Sequence, residues 1–210
     1  PLFALQLLGD WVERGLLEPA AAGFRRSGAE VSTPPTLEAM WLRRLDRVVE
    51  PFGASAVKAL DLAAVIGREV DAAEWRAVAR HVQLDRAFDL VEVLLGQGLA
   101  SQHGQGRAPD GSWAFAHAGL AESVAARAVR RSAEVQEEAA KILMEHARSL
   151  HESGAYRQSE DAGRRALHLA AAACVEVRLQ AMSLLSWVHQ MRGRLDDAYA
   201  GRLRELQLAR

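Results

Sequence analysis

The residues that could do chemistry are few and poorly grouped. The two lysines, Lys58 and Lys141, have no glycine-rich loop ahead of them. The G-x-x-x-x-G-K-[ST] pattern that cradles nucleotide phosphates is therefore absent, and this chain by itself is not expected to hydrolyse nucleotide. Gly104-Gln105-Gly106 starts like a dinucleotide fingerprint but continues Arg107-Ala108-Pro109, with no third glycine and no helix start, which is the chemistry of a hairpin tip. His151-Glu152-Ser153-Gly154-Ala155 has alanine where a zinc protease needs its second histidine, and Gly154 suits a helix end. No serine sits in a nucleophile elbow, and Cys174 has only His168 near it in sequence. No catalytic residue and no metal ligand set is expected. His117 is different, because it falls where a strand should turn into a helix. There its ring can bond the local backbone, cap the helix or donate to an anion.

The elements that would position these residues follow from apolar spacing. Leu2, Leu5, Leu8, Val12 and Leu16 mark one face of a helix that Gly15 helps to end. Residues 18–35 read as a connector with one short strand at 23–26, and Thr36 or Thr33 can cap the helix that follows. Leu37, Met40, Trp41, Leu45, Val48 and Val49 make that helix, which Pro51-Phe52-Gly53 stops. Three short helices are expected at 54–66, 71–82 and 84–96. A β-hairpin follows, with 99–102 and 113–115 flanking a long Gly/Pro loop. Three helices and then a hairpin is the order of a winged helix.

From about Ala121 the chain is rich in Ala, Leu, Glu and Arg and holds no proline, so helix is expected to its end. Two units repeat, 150–167 around Gly154 and 189–206 around Gly193, with small residues at Ala147, Ser186 and Ala198 where helices must approach closely. The glycines lie 39 residues apart (193 minus 154), against a tetratricopeptide period of about 34. The stretch 137–210 resembles tetratricopeptide repeats, with Arg202 and Glu205 standing where apolar residues are usual. Two plain antiparallel helical hairpins are the alternative. Such an array would offer a concave side to a peptide or protein, and its C-terminal end carries no polar capping helix, so further repeats are expected to cover it.

Composition bounds the rest. Half of the 210 residues are apolar, enough for a packed core, and 26 basic against 27 acidic residues leave a net charge of −1. Nothing in that balance draws the chain to nucleic acid or to an anionic membrane. The stretch 166–175 is far short of the roughly 20 apolar residues of a membrane span. Asp10 and Glu13 directly behind the first apolar run argue against a secretory signal, so a cytoplasmic location is expected. Cys174, the single cysteine, sits in an apolar run and is expected as a buried thiol. The helix at 84–96 carries Asp85, Asp89 and Glu92 against Arg86, a local charge that repels phosphates, so DNA binding through it is not expected. Its apolar face is read as Leu84, Phe88, Val91 and Leu95. A first residue other than methionine, and a last one inside a helical pattern, suggest a piece of a longer protein.

With that architecture, Pro1-Leu2-Phe3 resembles the end of the Gly-Asn-Pro-Leu-Phe element of signal-transducing NTPases of the STAND class, and Phe115-Ala116-His117 resembles the Phe-x-His form of that family's winged-helix motif. Ala118 stands where other members have aspartate. The resemblance spans the chain and implies a lid helix, connector and linking helix over 1–52, a winged-helix module over 53–130 and repeats over 131–210. It implies Pro1 against a nucleotide base and His117 as a sensor of bound ADP or ATP, in an upstream nucleotide-binding domain of the same bacterial protein. It implies a non-catalytic regulatory role here, with a protein or peptide partner on the repeats. The wording of 9–17 is similar to forms fused to Ser/Thr kinases. A LuxR-type transcriptional regulator that contacts DNA is the alternative parent.

Overall fold

The structure, a computed structural model, describes residues 8–9, 11–12, 15–20, 23–26, 36–103, 112–170 and 174–209. The chain is mainly helical and divides into two compact units, 1–48 and 49–210. Pro1 and the hairpin tip at 104–111 lie outside the described residues.

In the first unit, Gly15 takes a left-handed φ of 65°, and the N–H groups of Gly15 and Leu16 bond back to Val12 and Trp11, which ends a helical stretch as Gly15 was expected to do. The expected strand at Gly23–Arg26 (β2) has a partner that the sequence did not announce, Leu17–Ala20 (β1), antiparallel in the register Leu17↔Arg26. Helix α1, Leu37–Val49, buries Met40, Trp41, Leu45 and Val49. Thr36 is its cap, its Oγ accepting from the Ala39 N–H at 3.1 Å.

In the second unit a 3₁₀ turn at Glu50–Phe52 leads into α2, Ala54–Ile66. Six of the thirteen residues of α2 are alanine or leucine with no accessible surface or nearly none, and the helix is buried on most sides, as an apolar helix at the centre of a helical core should be. Strand β3, Glu69–Val70, comes next, followed by α3, Ala72–His81, and α4, Ala87–Gly96. Asp71 and Glu74 close a reciprocal capping box on α3. Strands β4, Ala100–His103, and β5, Ser112–Phe115, form the expected hairpin. β3 adds to it, so the sheet runs β3-β5-β4, all antiparallel. Trp113 and Phe115 of β5 pack edge-on, their centroids 5.1 Å apart, and Trp113 meets Trp75 of α3 at 5.4 Å and 88°. The Trp75 indole N–H donates to the Ala87 carbonyl at 3.1 Å. This aromatic core ties the sheet to α3 and to the start of α4.

The third helix begins three residues later than expected, because Gln83 takes a left-handed φ of 56° and Asp85 and Arg86 belong to the turn ahead of it. The buried face shifts with it to Ala87, Leu90, Val91 and Leu94, with Phe88 and Leu95 half-buried.

Five helices complete the unit: α5, Ala118–Arg131; α6, Val135–Glu152; α7, Tyr156–Leu169; α8, Val175–Met191; and α9, Leu195–Leu208. α2 packs on α5 and α6, and α6/α7 and α8/α9 are successive hairpins. Gly154 and Gly193 turn the two hairpins at φ values of 80° and 72°. The second helix of each has 14 residues and starts 39 residues after its counterpart. Ala147 and Ser186 are buried at equivalent places, while Ala198 is half-buried. Arg202 and Glu205 pair with each other at 2.7 Å, and Arg202 also donates to Ser183 of α8 at 3.1 Å.

Candidate functional site

His117 stands where the sequence put it, at the junction of β5 and α5. Its backbone is extended (φ −131°, ψ 140°), and its carbonyl accepts from the N–H groups of Leu120 and Ala121 at 3.1 and 3.3 Å. It is the N-cap residue of α5, yet its side chain makes no capping hydrogen bond to that helix. The ring is half-buried. A histidine placed this way sits beside the positive end of a helix dipole, where an anion is favoured. Pro1, the other residue expected to sense nucleotide, lies outside the described residues.

Three buried carboxylates organise the second unit, and none stood out in the sequence. Asp61 of α2 accepts from Arg127 of α5 at 3.1 Å and lies 3.5 Å from Arg131. Burial nevertheless outweighs the two guanidinium groups and leaves the Asp61 carboxyl above the ordinary aspartate range. Glu74, in the first turn of α3, takes Arg165 of α7 at 2.6 and 3.3 Å, while the same guanidinium donates to the Ile66 carbonyl at 3.3 Å. Arg165 thus clamps α7 to the end of α2 and the start of α3.

The third, Glu160 of α7, is 5% exposed and receives Arg164 of its own helix together with Arg192 and Arg194, which flank the Gly193 turn. The His189 ring nitrogen is 3.4 Å away. Burial works to raise the Glu160 carboxyl, but Arg194, Arg164 and Arg192 together hold it below the usual glutamate range. This is the electrostatic joint between the two hairpins. Beside it opens a cleft of about 920 Å³ bordered by the start of α3, by His146 and Leu150 of α6 and by Arg157 and Glu160 of α7. Its arginines and carboxylates are largely spent on one another, so it reads as an ion-paired joint rather than as a charged receptor.

Set against known protein families, curated proteins and solved structures, the chain finds no match.

The remaining sequence candidates lie apart from these joints. His151 and Glu152 end α6, with the His151 ring 5.4 Å from that of Tyr156. Cys174 is the N-cap residue of α8 and half-buried. The expectation of a core thiol fails because Val175 beside it is 53% exposed, so the apolar run ends at the surface there. In the turn ahead of α4, Arg86 pairs with Asp89 of that helix at 2.8 Å, and Asp85 and Glu92 are exposed. Among the described residues, no three His, Cys, Asp or Glu side chains gather to hold a metal ion, and no helix is long and apolar enough to cross a membrane.

Proposed function

We propose that this chain is the regulatory and partner-binding part of a signalling ATPase of the STAND class. Residues 53–130 are its winged-helix module and 131–210 its tetratricopeptide-like repeats. In this reading the winged helix closes over a nucleotide-binding domain of the same protein, and the His117 ring donates to the diphosphate of bound ADP and holds the resting state. The repeats present their concave side to a protein or peptide.

The observation that carries the reading is the order of parts. A helix, a short strand, two helices and an antiparallel hairpin come first, with His117 at the exit of the last strand. Two hairpins offset by 39 residues follow. The Arg165–Glu74 clamp supports it further, because a ligand on the repeats would then be coupled to α3 through a partly buried ion pair. The test is binding by the isolated chain. Titration with ADP and ATP is expected to give no heat, and a mobility shift with duplex DNA is expected to lose its signal by physiological salt. Duplex binding retained at that salt would favour a DNA-contacting regulator instead.

A further inference from the structure

The cleft beside the Glu160 joint is walled by ion pairs but not filled by them. Of the arginines on its border, Arg165 is held by Glu74, and Arg164 and Arg192 by Glu160. Asp71 is taken up as well, accepting from the Ala73 N–H at 2.7 Å and from the Ser112 hydroxyl at 3.2 Å. One cation and one anion of the border remain, Arg157 and Asp161, with no hydrogen bond or ion pair among the described residues. They lie one turn apart on α7, and both are exposed. Side chains so spaced can pair, but a cation placed ahead of the anion is the weaker order on a helix, so both charges stay available to a third group.

Charge and size limit what that group can be. The four arginines and four carboxylates on the border cancel, so the cleft as a whole selects neither anions nor cations. What matches it is a molecule without net charge that carries both signs at close range. The Arg157 guanidinium can grip a carboxylate with two parallel N–H donors, and Asp161 can accept from an ammonium. Ala73, Leu150 and Ala162 give the same border its apolar part, against which an apolar side chain can lie. The volume of about 920 Å³ falls in the range of small-molecule clefts, roughly 300 to 1,000 Å³. We infer that this cleft binds a free α-amino acid with an apolar side chain, its carboxylate on Arg157 and its ammonium on Asp161.

Calorimetric titration of the 210-residue chain with L-leucine and with L-phenylalanine tests this. At least one of the two is expected to bind saturably, with a Kd below about 1 mM. The N-acetyl and amide derivatives of the amino acid that binds each lack one of the two charges, and each should bind at least about tenfold more weakly. Arg157→Gln and Asp161→Asn should each weaken binding of the parent amino acid by at least about the same factor. Neither side chain has a partner in the ligand-free chain, so both variants should keep the wild-type melting curve and helical circular dichroism. No saturable binding of either amino acid up to about 10 mM, or binding that the derivatives and the folded variants leave unchanged, overturns the proposal.

Discussion

Asp61 and Glu160 are both buried carboxylates held by arginines, and they should respond to pH with opposite sign. The Glu160 carboxyl is depressed in the folded chain, so its contribution is fully present above the ordinary glutamate value of about 4.3 and is lost as pH falls through the lower folded value. Asp61 is raised, so the folded chain holds a proton there more readily than the unfolded one. Its effect is a loss of stability as pH rises from about 3.9 through the raised value. Urea unfolding from pH 7 to pH 3 should therefore show Glu160→Gln flattening the acid-side loss and Asp61→Asn steepening it; the same slope in both variants would contradict the assignment. Removal of the groups should differ as well. Arg127 is only 10% exposed and loses its buried carboxylate partner in Asp61→Ala, at a cost of about 3 to 5 kcal/mol. Arg192 and Arg194 are a third exposed and can return to water, so Glu160→Ala should cost about 2 kcal/mol. Thermal or urea melts at pH 7 rank the two.

Between elements, the second hairpin contains an exchange of volume that can be tested directly. The first has Ala147 and Ala162 where the second has Ser186 and Gly201, and a β-carbon on Gly201 would lie 2.5 Å from the Ser186 hydroxyl. Gly201→Ala alone should destabilise by about 1 kcal/mol despite its better helix propensity. The double variant Ser186→Ala with Gly201→Ala restores the arrangement of the first hairpin and should be at least as stable as the wild type. Equal melts for the single and double variants would mean that α8 and α9 do not meet there. Much of this element structure was legible in the sequence. The helix at 54–66, the Thr36 cap, the hairpin around 104–111 and both glycine turns follow from apolar spacing and turn residues. β1 and β3 were not legible, since Leu17-Glu18-Pro19-Ala20 does not alternate and Glu69–Val70 is too short to show a period. The start of α4 was misplaced by a left-handed Gln83, which no propensity flags. The ion-paired joints were invisible because their partners lie 32, 34, 66 and 91 residues apart. Only the Glu160–Arg164 spacing on one helix hinted at them.

For the molecule as a whole, the second unit is a continuous path of contacts from the sheet that presents His117 to the last hairpin. Trp113 and Trp75 join the sheet to α3, Glu74 and Arg165 join α3 to α7, and Glu160 joins α7 to the turn ahead of α9. In the proposed reading, a partner bound to the hairpins would act on His117 through that path, and Arg165→Ala should uncouple the two ends without unfolding either. The most direct measurement of the proposed role is the rate of ADP release from the protein that carries this chain together with its nucleotide-binding domain, with His117 intact and as His117→Ala. Loss of one charge-assisted hydrogen bond should speed release about 5- to 150-fold, the equivalent of about 1 to 3 kcal/mol, and raise basal activity. Equal release rates and equal basal activity in the two proteins would contradict the account and leave His117 with a purely structural role at the start of α5.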